Sequence, residues 1–178
     1  MRASQSRQSG ERVTAALRVQ LKKGRDGPST LACVRSDGSR TWGKVHPFFP
    51  VHDLTHCAVE SVLRLDEAFF GLLQSGWEID DFAARGVAAR LPPQAILAEC
   101  IVGMLDLERA NGRPFSTRDF GDGLALALAA QGLVTPPPLT EPILASIRRL
   151  RDQLEARWLA LQAGDTLEVE FPAVPARA

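Results

Sequence analysis

Two imidazoles and two carboxylates crowd into one short stretch of this chain: His52, Asp53, His56 and Glu60. On a helix, each step of four residues turns the side-chain direction by only about 40°, so His52, His56 and Glu60 share one face. Imidazole nitrogen and carboxylate oxygen on one stripe form a donor set for a divalent transition metal, Zn²⁺ above all. The chain has three histidines, His46, His52 and His56, and two of them fall in this motif. Asp53 sits about 100° around the helix from His52. It is placed to orient His56 or to take a proton from metal-bound water, which makes it the catalytic candidate. Glu99, Asp106 and Glu108 on a later helix offer further carboxylates, and the stripe alone does not choose among them.

The same residues support a structural reading. Asp53 can serve as an acid in a helix's first turn, His52 and His56 as buried hydrogen-bonding groups, and Glu60 as the i,i+4 partner of Arg64.

The elements that must position these residues change period along the chain. Residues 13 to 22 alternate, with Ala15, Leu17, Val19 and Leu21 on one side and Arg18, Gln20 and Lys22 on the other, as in a half-buried strand. Residues 30 to 35 and 40 to 45 form two more strands, joined by Ser36-Asp37-Gly38-Ser39, where Asp-Gly suits a turn that needs positive φ. From Val51 the apolar spacing becomes helical through Leu73, with a break expected at Leu65-Asp66 and a C-cap at Ser75-Gly76. A short helical turn is expected over residues 77 to 82. Further helices are expected from Pro92-Pro93 to Asn111-Gly112, from Ser116-Thr117 to Gly132, and over residues 141 to 162. Asp119 stands in capping-box position for Ser116. Thr166 to Phe171 alternates again, and the N-terminal hairpin is the natural partner for this last strand. The architecture expected is α+β: a bundle of about four helices packed on a small antiparallel sheet built from both ends of the chain.

Composition bounds the rest. The 178 residues suit one domain over 12–171, after a disordered leader over 1–11 and before a loose tail over 172–178. Lys plus Arg and Asp plus Glu both total 21, so the zero net charge points away from a dedicated nucleic-acid partner. No apolar run approaches the roughly 20 residues that span a bilayer, so no membrane partner is expected. Cys33, Cys57 and Cys100 are odd in number and lack metal-clamp spacing, which suggests reduced thiols in the cytosol. Arg148, Arg149, Arg151 and Arg157 interleave with Asp152 and Glu155 as on a solvated helix face. Trp42, Trp77 and Trp158 are candidates to line a ligand pocket, although core or edge packing is the commoner role of buried tryptophans.

Residues 49 to 82 carry F-P-V-H-D-L-T-H-C-A-V-E and then F-F-G-L-L-Q-S-G-W-E-I-D-D-F. With R-S-D-G-S before them and W-L-A-L-Q-A-G-D-T-L-E-V-E-F at the end, they resemble a group of small bacterial proteins sharing an H-D-L-x-H-x-x-V-E motif. The likeness covers most of the chain and implies no particular activity. It makes Cys57 a local variant at an aromatic position. A local resemblance links His52, Asp53 and His56 to the H-D-x-x-H zinc motif of the ubiquinone-biosynthesis scaffold family. That family's distant Glu falls nearest Glu67, one residue short of its spacing, and Glu60 is the better helical neighbour.

The expectation is therefore a cytosolic protein holding a divalent metal through His52, His56 and Glu60, with Asp53 beside it and hydrolase or lyase chemistry in view. The alternative is a non-enzymatic protein-interaction module, homo-oligomeric or with another partner, in which the same cluster is structural.

Overall fold

The computed structural model describes residues 16–46, 49–134 and 139–172. The expected leader, residues 13–15 of the first strand, Pro136 to Pro138 and the tail beyond Pro172 lie outside these residues. Four strands, β1 (Leu17–Lys22), β2 (Ser29–Val34), β3 (Arg40–Val45) and β4 (Thr166–Phe171), form an antiparallel sheet of order β3-β2-β1-β4. The last strand pairs with the first, Leu17 opposite Phe171 and Leu21 opposite Leu167. Alternation alone predicts this pairing, because an apolar row over a helical layer needs a neighbour that continues it. The β2–β3 turn uses Gly38 at φ 85°, and the Asp37 carboxylate accepts the Ser39 N–H at 2.8 Å.

Five helices are described: α1 (Phe49–Leu63), α2 (Phe69–Ser75), α3 (Pro93–Asn111), α4 (Thr117–Ala130) and α5 (Glu141–Ala160); α1, α2 and α5 pack on the sheet, and α3 and α4 pack against the helices beyond it. Two 3₁₀ turns, Ile79–Ala83 and Val87–Arg90, link α2 to α3. The α+β class holds, with α1 and α2 as separate helices where one interrupted helix was expected. Arg64 adopts φ 55°, and the Leu65 N–H reaches back to the Glu60 carbonyl at 3.1 Å, closing α1 in a Schellman turn. Ser116 caps α4 as expected, its hydroxyl accepting the Asp119 N–H at 3.1 Å.

The apolar residues divide into two clusters on either side of α1. Val19, Leu31 and Phe171 of the sheet pack with Leu54, Phe70, Leu154 and Trp158. Val59 joins Ile101 and Leu105 of α3, Phe120 and Leu124 of α4, and Leu144 and Ile147 of α5. Helix α1 is thus central, and every residue from Asp53 to Glu60 is buried. A helix wrapped on all sides carries polar groups only where each finds a partner or a task. No helix among the described residues is long and apolar enough to cross a membrane.

Candidate metal centre

His52, His56 and Glu60 lie along α1 as the four-residue spacing requires, and α3 runs antiparallel beside them. Glu99 and Asp106, seven residues apart on α3, both meet α1. Asp106 Oδ2 lies 3.0 Å from His52 Nδ1, and Glu99 Oε1 lies 3.4 Å from His56 Nε2. The two imidazole centroids are 4.9 Å apart.

Each ring has its Nδ1 on a carboxylate. For His52 the partner is Asp106, whose other oxygen is held by Arg109. Burial alone would raise Asp106, but the His52 hydrogen bond and the Arg109 guanidinium keep it below the usual carboxylate range. An ionised Asp106 accepts, so His52 Nδ1 donates and its Nε2 is the ring's remaining ligand atom. For His56 the Nδ1 partner is Glu60 Oε1, at 3.2 Å.

Ligand atoms of His52, His56 and Glu99 all lie within 4.8 Å of one another, so these three residues could hold a metal ion. His56 is buried, His52 is partly exposed, and the Glu99 side chain is 59% exposed, which opens the cluster to solvent on the α3 side.

Glu60, the expected third ligand, stands behind His56 instead of beside it. Its Oε2 accepts the backbone N–H groups of Phe70 at 2.8 Å and Gly71 at 3.3 Å. Ala68 at the N-cap of α2 has no side chain to do this, so Glu60 caps α2 from outside. Gly71 lets the turn before α2 fold back onto the helix, since a Cβ there would lie 2.5 Å from the Asp66 backbone. Burial raises the Glu60 carboxyl, against the pull of His56 and the two backbone donors. Arg64 is exposed beyond the helix end, so the expected Glu60–Arg64 pair gives way to these bonds.

Burial alone would lower His56, but hydrogen bonds to Glu60 and Glu99 overcome it and hold the ring up at about 10. Glu99 is correspondingly held down, chiefly by its bond to His56. In the metal-free site, then, two carboxylates share one proton-borne positive charge on His56.

Asp53 is buried beside the cluster, and its Oδ2 has no hydrogen-bond partner among the described residues. Burial pushes its carboxyl up to about 6, opposed by His56 and His52 and reinforced by Glu99. The role of orienting His56, expected of Asp53, falls to Glu60, and Asp53 is left as an uncommitted acid. Glu67 is exposed between α1 and α2, its backbone N–H bonded to Gln94 Oε1 at 3.2 Å, and it is not one of the three clustered residues. Glu108 turns toward α5, where Arg148 and Arg151 bind it.

Helical arithmetic on α3 carries a signal for these roles. Residues 99 and 106 are seven apart and share a face, whereas 108 lies about 180° from 99. Comparison with protein families, curated proteins and solved structures finds no match to this chain.

Proposed function

We propose that this chain binds a divalent transition metal, Zn²⁺ foremost, through Nε2 of His52, Nε2 of His56 and the Glu99 carboxylate, and uses it in hydrolase or lyase chemistry. The observation that carries this reading is the pair of Nδ1 bonds, His52 to Asp106 and His56 to Glu60. A ligating histidine characteristically gives its other ring nitrogen to a carboxylate or carbonyl, which fixes the ring and raises its basicity. Both histidines are oriented this way, and both rings reach the Glu99 carboxylate.

Metal–ligand bonds of about 2.1 Å set tetrahedral ligand spacings of roughly 3.4 Å, so the cluster closes by small side-chain rotations. Three protein ligands leave a position for water or substrate, as in catalytic zinc sites. Asp53 is the proton acceptor in this reading, because a carboxyl held near 6 exchanges protons at neutral pH. A cytosolic setting belongs to the same proposal and fits three free cysteines.

A structural reading of the cluster, as part of an interaction module, draws support from Glu60, whose bonds cap α2 whether or not an ion binds. Elemental analysis by plasma mass spectrometry separates the two. Tag-free protein purified without chelator and supplied with Zn²⁺ should retain one ion per chain. Glu99→Gln, a change at an exposed side chain, should lose it while the protein still unfolds cooperatively on heating. Wild-type protein that takes up no Zn²⁺, Mn²⁺ or Fe²⁺ would overturn the proposal.

A further inference from the structure

The solvent face of the sheet carries a second feature, independent of the metal site. Odd-numbered residues of the four strands, among them the buried Leu17, Val19, Leu21, Leu31, Cys33, Thr41, Leu167 and Phe171, lie on the helix side, so the even-numbered ones take the other face, where Ala32 is buried as well. On β3 this puts Arg40, Trp42 and Lys44 in a row, all exposed. Trp42 is 58% exposed, an unusual setting for the largest apolar side chain. Its cross-strand partner Ala32 is 4% exposed, as an indole laid over it would produce. The outer indole face is therefore the one left to solvent.

Beside Trp42 a cleft of about 800 Å³ is lined by Lys22, Lys23, Arg25, Arg40 and Trp42, with no carboxylate in its wall. Lys23 is committed to the end of α5, donating to the Leu161 carbonyl at 3.0 Å. Lys22, Arg25, Arg40 and Lys44 have no ion pair among the described residues. The acids of this face, Glu168 and Glu170, stand on β4 at the far edge, where Glu168 accepts from Gln20. The zero net charge of the chain is a sum over the whole molecule; the wall of this cleft carries four cations and no carboxylate, with Asp26 exposed in the adjoining turn.

We propose that this cleft and the β2–β3 side of the sheet bind single-stranded nucleic acid, a base stacking on Trp42 while phosphates meet Lys22, Arg25, Arg40 and Lys44. An open aromatic platform flanked by cations is the arrangement that holds unpaired strands, because every base offers a π-face and the backbone a regular negative charge. Duplex bases are stacked on one another and cannot reach the indole. Arg40 and Lys44 straddle Trp42 four residues apart, roughly 13 Å along the strand, a reach that meets two separate phosphates of one strand and that the single phosphate of a mononucleotide cannot fill. Glu168 and Glu170 repel a polyanion and confine its path to the cleft side.

Fluorescence anisotropy of a labelled twelve-nucleotide oligothymidylate at low salt tests this on the full chain. Wild type should bind it in preference to a duplex of equal length, with thymidine monophosphate a poor competitor. Trp42→Ala should weaken binding on the order of tenfold. Arg40→Ala and Lys44→Ala together should lower the salt slope by about 0.7 per cation removed. Both changes are at exposed positions, and unaltered melting curves will establish that the variants are folded. Absence of binding by wild type overturns the proposal. So does a folded Trp42→Ala that binds as well as wild type, or equal affinity for duplex, heparin or the mononucleotide.

Discussion

Nδ1 of His56 lies 3.2 Å from Oε1 of Glu60, one turn further along α1, while the other oxygen of that carboxylate holds the first turn of α2. One buried side chain thus ties the imidazole of the candidate site to the packing of a neighbouring helix. Glu60→Ala removes the acceptor for a ring N–H and two backbone N–H groups where water does not reach. Each orphaned donor costs about 1–3 kcal/mol, so the total loss is about 3 kcal/mol or more. For a chain of this size that lowers the melting temperature by roughly 6–12 °C. Glu60→Gln keeps one carbonyl oxygen and should fall in between. Thermal unfolding of the three proteins tests the ordering, and an unchanged Glu60→Ala melting point would contradict it.

His56 makes metal uptake depend on pH. Its folded value, near 10, lies above the ordinary 6.5 because the bonds to Glu60 and Glu99 outweigh burial. The folded metal-free protein therefore binds a proton more tightly than the unfolded chain. The stability this contributes is fully present below pH 6.5 and is lost as pH rises through about 10. A metal at Nε2 must displace that proton, so apparent Zn²⁺ affinity should climb about tenfold per unit between pH 7 and 9. Competition titration against a chromophoric chelator measures the slope. An affinity that levels off just above pH 6.5, as for an ordinary histidine, would show that Glu60 and Glu99 do not hold the proton.

Asp53 should trade stability for function. Its carboxyl is raised from 3.8 to about 6 by burial, so the folded state favours the neutral acid. The stabilising effect of that proton is complete below pH 3.8 and is lost as pH rises through about 6, leaving a buried carboxylate whose Oδ2 has no hydrogen-bond partner among the described residues at pH 8. Asp53→Asn removes the charge, and the shift bounds the gain at on the order of 3 kcal/mol, part of which the amide's own burial takes back. The variant should melt higher than wild type at pH 8 and alike at pH 4. Equal melting at both values would mean that Asp53 finds a partner when ionised.

The fold was largely readable because alternation and helical spacing are local signals. The hairpin at Asp37-Gly38, the pairing of β4 with β1 and the Ser116 cap all follow from short patterns. The break after Leu63 was visible as a weak point, but its cause, Arg64 in a left-handed conformation, has no marker in a residue type that rarely adopts it. At the site, the stripe located His52 and His56 but could not say which way their rings turn. Ring direction is set by Asp106 on another helix and by Glu60 below, and Glu99 enters only because α3 crosses α1 there. Four-residue spacing places side chains on one face but does not say what packs against that face. With Asp53 to Glu60 all buried, a shared helical face does not make Glu60 a shared ligand.

Glu108 separates the acids that serve the fold from those beside the histidines. It is 3% exposed and joins α3 to α5 through Arg148, whose Nε lies 3.1 Å from Oε2, and through Arg151 at 3.7 Å. Its Oε1 also accepts the Phe115 N–H at 3.0 Å, fixing the turn before α4. Glu108→Ala strands Arg148 without its counter-charge, a change that typically costs 3–5 kcal/mol. Replacing both partners, Glu108→Leu with Arg148→Met, should recover most of that loss, because the penalty comes from the unpaired charge and not from the absence of the pair. Neither protein should lose metal per folded chain, since Glu108 lies on the opposite face of α3 from Glu99. Urea unfolding and metal analysis of both proteins check the two halves together. A double variant no more stable than Glu108→Ala would show that the Phe115 bond, and not the ion pair, holds this corner.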